Sequence, residues 1–129
     1  MPVEDLGPAE RLAAGAIGQP GQRRFFLEVT AGGRVHSFPC EKSQVAELAQ
    51  QGLQLLTMAS LESDEEAVQR LVQSHLPIID PEEPKFRIGS IGVAVHQSEF
   101  LSIPLSSTDE EESATFVVTP EQFRAMALV

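Results

Sequence analysis

The stretch Arg23-Arg24-Phe25-Phe26-Leu27-Glu28-Val29-Thr30-Ala31-Gly32-Gly33-Arg34-Val35-His36-Ser37-Phe38-Pro39-Cys40 decides the fold class, because it reads as two strands and the turn between them. Phe25, Leu27 and Val29 alternate onto one face, and Arg24, Phe26, Glu28 and Thr30 take the other. Ala31-Gly32-Gly33 supplies the positive-φ turn of a hairpin. Phe26 is the odd member, an aromatic between Arg24 and Glu28 on the polar face. Such a residue is either covered, with Phe123 or Met126 of the terminal segment as the expected cover, or it is an interface anchor for a partner.

Toward the N-terminus the hairpin is preceded by Gly18-Gln19-Pro20-Gly21-Gln22, a turn in which Pro presets φ and Gly supplies positive φ. Residues 9–17 read as a strand or a brief helix, Gly15 favouring the strand. Residues 1–8 carry no pattern and are expected to be flexible. Toward the C-terminus, Val45, Leu48, Ala49, Gly52, Leu55, Leu56 and Ala59 recur at helical spacing, so a helix is expected over 43–61 with Ser43 as its N-cap. Gly52 disfavours a helix interior by ~1 kcal/mol, which close packing of a neighbour would explain. Ser63-Asp64-Glu65-Glu66 has the spacing of a capping box, and a shorter helix follows it.

Residues 77–84 and 107–113 read as solvated acidic loops. Between them, Phe86–Val95 and Phe100–Ser106 form a second hairpin, with Ile91, Val93 and Val95 on one face. The small residues Ser90, Gly92 and Ala94 on its other face would suit close approach by the 43–61 helix. Ala114–Val118 is a last strand, and Thr119-Pro120-Glu121-Gln122 starts a last helix with Pro at its first position. The expected architecture is a single α+β domain over 1–129: an antiparallel sheet of five or six strands from the two hairpins, with two or three helices packed on it.

Composition narrows the function. Nineteen acidic residues oppose nine basic ones, a formal charge of -10, so nucleic acid is repelled unless basic residues cluster locally. Apolar residues make up 42% of the chain, enough aliphatic content for a core although Trp and Tyr are absent. One cysteine, Cys40, excludes an internal disulfide and a multi-thiolate zinc site, and fits a reducing compartment, the cytoplasm. No stretch approaches the ~20 apolar residues of a membrane span.

The segment most open to a binding role is the turn with its two arginines. Amides at Gln19 and Gly21 together with the Arg23 and Arg24 guanidinium groups could hold a phosphate or carboxylate, although the stretch matches no dinucleotide or Walker fingerprint. Cys40 and His36 share a strand face but lie ~13 Å apart at strand spacing, so they form no nucleophile–base pair. His36, His75 and His96 are too dispersed for a metal motif, and no acidic run follows a calcium-loop pattern. No catalytic residue, metal or cofactor is therefore expected, and the sequence carries no signal of oligomeric state. The leading expectation is a non-catalytic interaction module with a protein partner still unknown. The alternative is a small enzyme or ligand-binding domain acting on an anionic, phosphorylated small molecule.

Three segments in this order, Ala14-Gly15-Ala16-Ile17-Gly18-Gln19-Pro20-Gly21-Gln22-Arg23 running into Phe25-Phe26-Leu27, Glu41-Lys42-Ser43-Gln44-Val45, and Phe86-Arg87-Ile88-Gly89-Ser90-Ile91-Gly92, resemble the domain of unknown function 3090 family of uncharacterised bacterial proteins. The resemblance covers roughly residues 10–128 and implies no activity. It implies a cysteine-rich, zinc-ribbon-like tail beyond the last helix, which this sequence lacks, so the sequence is expected to be either a shortened form or a tail-less branch, and the apolar residues that end the last helix pattern at Val129 suit a chain that continues. It also implies Trp-Asp in the second hairpin, where this sequence has Val95-His96.

Overall fold

The computed structural model describes residues 3–128. In chain order the elements are β1 (Val3–Pro8), β2 (Arg11–Ile17), β3 (Arg24–Ala31), β4 (Arg34–Cys40), α1 (Lys42–Met58), α2 (Glu65–Gln73), β5 (Ile88–Ile91), β6 (Ala94–His96), β7 (Phe100–Ser107), β8 (Ser113–Val118) and α3 (Pro120–Leu128). The class is α+β, as the alternation and capping patterns indicate. No helix among the described residues is long and apolar enough to cross a membrane.

The hairpins lie in two sheets rather than one. β2, β3 and β4 form a three-stranded antiparallel meander, while β1, β8, β7 and β5 are ordered side by side in a larger sheet in which β6 also pairs with β7. Both edges of β3 are taken by β2 and β4, and both edges of β7 by β8 and β5/β6, so neither hairpin offers the other a central edge. The chain steps between sheets at two adjacent residues: the Ala9 amide donates to Val117 O at 2.8 Å and the Glu10 amide to Thr30 O at 2.7 Å. The expectation of a flexible 1–8 segment is corrected for residues 3–8, which pair in parallel with β8 from Val3 opposite Ser113 to Pro8 opposite Val117. Met1 and Pro2 lie outside the described residues.

One core joins the inner faces of both sheets. Leu27, Val29, Phe38 and Cys40 of the meander meet Leu101, Ile103, Leu105, Ala114, Phe116 and Val118 of the larger sheet, with Val45, Leu48 and Leu56 of α1 and Phe123 and Met126 of α3. Helix α1 starts one residue earlier than expected, because Gln44 Oε1 accepts from the Glu41 amide at 2.8 Å and makes Glu41, not Ser43, the N-cap. It ends at Met58 because Ser60 adopts φ 55° and the Leu61 amide reaches back to Leu56 O at 2.9 Å. In α2 the N-cap is Asp64 rather than Ser63, its carboxylate accepting from the Glu66 amide at 3.0 Å. The α3 capping box forms as read, Thr119 and Gln122 exchanging hydrogen bonds at 2.9 and 3.0 Å.

The strand expected over 86–95 is broken into β5 and β6. Pro104 of β7 accepts from the Gly92 amide at 2.9 Å but has no N–H to return, so the ladder lapses there. A register shift between Ile88 and Ser90 turns Ile88 and Ile91 toward the core. Ser90 and Ala94 are exposed, and α1 meets this strand through Gln44, whose side-chain amide donates to Ile88 O at 3.1 Å and Gly89 O at 3.3 Å. The 107–113 segment is a tight turn in which Asp109 accepts from Ser107 Oγ at 2.6 Å and from the Glu111 amide at 3.1 Å. These two donors hold its carboxyl below the usual carboxylate range.

The 77–84 segment has no regular structure, and its carboxylates Asp80, Glu82 and Glu83 are exposed, but its other side is docked. It is a strap laid over the outer face of the meander, the face that carries Arg24, Phe26 and Glu28. Arg11 Nη2 donates to Leu76 O at 2.7 Å at one end, and the Lys85 amide donates to Ser37 O at 2.7 Å at the other. Between them Asp80 pairs with Arg24 at 2.7 Å, and Ile78 sits over Gly15, where an added Cβ would lie 3.2 Å from Ile78 Cδ1. Gly15 is opposite Phe26 in the register. Phe26 is 1% exposed, and it is absent from the core that holds Phe123 and Met126. Its cover is therefore the strap and not α3, and the exposed-anchor reading of Phe26 is corrected to a buried one.

Two stability outcomes follow. Phe26→Ala is expected to lower unfolding free energy by about 3–5 kcal/mol in chemical denaturation. Gly52 faces the ring of Phe123, and a Cβ there would sit inside van der Waals contact with it. Gly52→Ala is therefore expected to destabilise by about 1–3 kcal/mol through overpacking, despite the better helix propensity of Ala, and to lower Tm by several degrees.

Candidate functional site

Where β3 begins, β4 ends and α1 starts, three chain ends converge on one cleft of about 410 Å3. Register places Phe25 opposite Cys40 and Phe26 opposite Pro39, so the strands supply an apolar wall of Ala16, Phe25, Phe26 and Pro39, with Pro84 of the strap beside them. Four cations line the same space: Arg23 and Arg24 at the start of β3, Lys42 at the first position of α1, and Arg87 just before β5. One carboxylate, Glu41, is among them.

The cations differ in their engagement. Arg87 Nη2 is ion-paired with Glu41. Arg24 pairs with Asp80 at 2.7 Å while its guanidinium lies 5.6 Å from the Phe26 ring centre. Arg23 and Lys42 make no ion pair among the described residues. Lys42 is also placed against the helix dipole: a cation in the first turn is disfavoured, and the carboxylate at this helix end, the N-cap Glu41, is paired with Arg87 instead.

Gln19 and Gly21 are not part of this site. They stay in the β2–β3 turn, where the Gln22 amide donates to Gln19 O at 2.9 Å and Gly21 adopts φ 88°, and neither lines the cleft. The Gln19 and Gly21 amides expected to act with Arg23 and Arg24 therefore lie outside this cleft, which Lys42 and Arg87 enter from other elements. Lys42 and Arg87 were not singled out by the sequence reading. A lysine at the first position of a helix was a usable signal for the first; nothing local marks Arg87, which arrives through the tertiary fold.

Cys40 forms the floor. It is buried, and burial pushes its thiol up to about 11, with Arg87 opposing and Glu41 adding to the rise. A thiol so protonated is a packing group rather than a nucleophile. Among the described residues no three His, Cys, Asp or Glu side chains converge on a metal-binding arrangement.

Two other depressions are less specific. One of about 190 Å3 lies between β2, α2 and α3 and includes Arg11, His75 and Gln122. A broad one of about 580 Å3 runs beside the strap, and at its rim Val35, Leu76 and Ile79 are 60%, 62% and 81% exposed.

A family model described as "Protein of unknown function (DUF3090)" matches residues 5–128. No curated protein and no solved structure matches the chain.

The thiol gives a pH signature. Its folded pKa of about 11 exceeds the ordinary 9.0, so above pH 9 unfolding releases a proton that the folded state retains. The stability it contributes is complete below about 9 and is lost as pH rises toward about 11. Denaturant unfolding across that window is expected to show this fall for the native chain and a shallower one for Cys40→Ala.

Proposed function

The chain belongs to the DUF3090 family, and on that premise we propose that it binds a small anionic molecule, without chemistry, in the cleft at the start of α1. The family description supplies no activity, so the reading rests on the site. The observation that carries it is the convergence of Arg23, Arg24, Lys42 and Arg87 on one cleft, four of only nine basic residues in a chain of formal charge -10.

Mutual repulsion opposes gathering like charges in one place, and on so acidic a surface carboxylates are abundant enough to neutralise each of them. Two, Arg23 and Lys42, nevertheless have no acidic partner among the described residues, and the apolar wall beside them suits the uncharged body of an organic anion. Binding is favoured over catalysis because Cys40 holds its proton and Glu41 is occupied by Arg87. A cleft of about 410 Å3 is the scale of a small molecule rather than of a nucleic-acid backbone. The single buried free thiol suits a reducing compartment such as the cytoplasm.

A second reading, a module that meets the apolar side chains of a protein partner, draws its support from Val35, Leu76 and Ile79, exposed around one charged depression. It ranks lower because three aliphatics with hydrophilic neighbours are a common surface feature, whereas the cation cluster is not.

Thermal denaturation with inorganic phosphate, pyrophosphate and a panel of phosphorylated metabolites tests the anion reading. A ligand at 100 times its Kd is expected to add ~2.7 kcal/mol of stability. The double variant Arg23→Gln, Lys42→Gln is expected to keep the unliganded Tm and lose the shift. Absence of any anion-dependent shift at low ionic strength would refute the proposal.

A further inference from the structure

The Arg24 guanidinium belongs to two assemblies at once. It lines the cationic cleft, and it holds Asp80, the middle of the strap, at 2.7 Å. Asp80 thus occupies part of the hydrogen-bonding capacity that an anion in the cleft would use. Both partners are 57% exposed, and an exposed ion pair of this kind is weak and readily exchanged.

The identity of the resident counter-ion sets what can replace it. Asp80 is a carboxylate tethered next to Arg24, so its effective concentration there is high. A free monocarboxylate offers the same charge and the same two oxygens without the tether, and gains nothing by the exchange. A phosphomonoester carries a charge of about −1.5 to −2 and three acceptor oxygens, so it can engage Arg24 together with Arg23 or Lys42. The local balance points the same way. With Asp80 displaced, four cations less Glu41 leave a charge of three in the cleft, which a dianion offsets further than a monoanion does.

Exchange has a mechanical result. The ends of the strap are held by hydrogen bonds that do not involve the cleft, Arg11 to Leu76 O and the Lys85 amide to Ser37 O. Among the described residues its middle has one ion pair, that of Asp80 with Arg24. We propose that the cleft takes a phosphomonoester-type dianion by displacing Asp80 from Arg24, so that occupancy loosens the strap between its two fixed ends. The proposal rests on the anion reading of the cleft and deepens it by naming the ligand class and its coupled motion.

The test uses the full chain, titrated by NMR with inorganic phosphate and with acetate at a pH where phosphate is dianionic, alongside hydrogen exchange of the 76–84 segment. Asp80→Asn is compared with Glu82→Gln, which makes the same charge change on the same strap without touching Arg24. Phosphate is expected to bind native protein several-fold more tightly than acetate, and to bind Asp80→Asn up to about five-fold more tightly than Glu82→Gln. Strap exchange is expected to accelerate when native protein is saturated with phosphate, and to be fast in Asp80→Asn without it. Phosphate binding with equal affinities for the two variants and unchanged strap exchange would overturn the displacement and leave the anion reading standing. Acetate binding as tightly as phosphate would overturn the ligand class. No phosphate-induced shift at Arg23, Arg24, Lys42 or Arg87 in any variant would overturn the anion reading and this inference together.

Discussion

A carboxylate buried on a β-strand cannot remain unpartnered, and Glu28 imposes that demand on the structure around it. It is nearly inaccessible, and Arg11 of the neighbouring strand meets it at 2.6 Å. Removing either partner of such a pair strands a charge, which is far more damaging than the net worth of the pair suggests. Arg11 uses a second nitrogen to bind Leu76 O, so the group that satisfies Glu28 also fixes where the strap begins. Once that end is set, Ile78 falls over Gly15 and Asp80 over Arg24. The burial of Phe26 and the pairing state of Arg24 are both downstream of one ion pair.

The meander is consequently covered on both faces, although its sequence alternates and its outer face holds the part-buried Arg11–Glu28 pair. Its inner face belongs to the common core, and its outer face is closed by a segment with no regular structure. Three prolines keep that segment extended and reduce the entropy it loses on docking. The cost of this solution is that the strap is held by few contacts, with aliphatic side chains such as Ile79 turned to solvent. A cover built this way is the low-stability part of a domain, and low-stability parts are where ligand-linked motion is found.

Legibility in the sequence followed the range of the interactions involved. The 23–40 hairpin and the Thr119–Gln122 box are local, and their residues announced them. Helix α1 was visible from its stripe, while its cap was displaced because Gln44 happens to reach the Glu41 amide before Ser43 can act. β1 was missed because Val3-Glu4-Asp5-Leu6-Gly7-Pro8 has no strand pattern of its own and is held by a partner strand near the other end of the chain. The docking of the strap was not legible because its prolines and carboxylates describe its exposed side and not what lies beneath it, the space left by the missing side chain of Gly15. The cleft was half visible: Arg23 and Arg24 stand out in the sequence, whereas Arg87 joins them only after β5 has been placed.

The parallel pairing of β1 with β8 has a consequence for biosynthesis. Val3 leaves the ribosome long before its partner Ser113 exists. The β2–β3–β4 meander, whose pairings are between neighbouring segments, is complete once Cys40 has emerged. The nascent chain therefore holds one finished sheet while β1 waits, unpaired, until β8 has been made. Closure of the larger sheet is a late, long-range event, slow by its topology. An unpaired strand waiting beside a formed sheet is the surface that holding chaperones recognise, and this chain presents it until its partner residues, Ser113 to Val117, have been made.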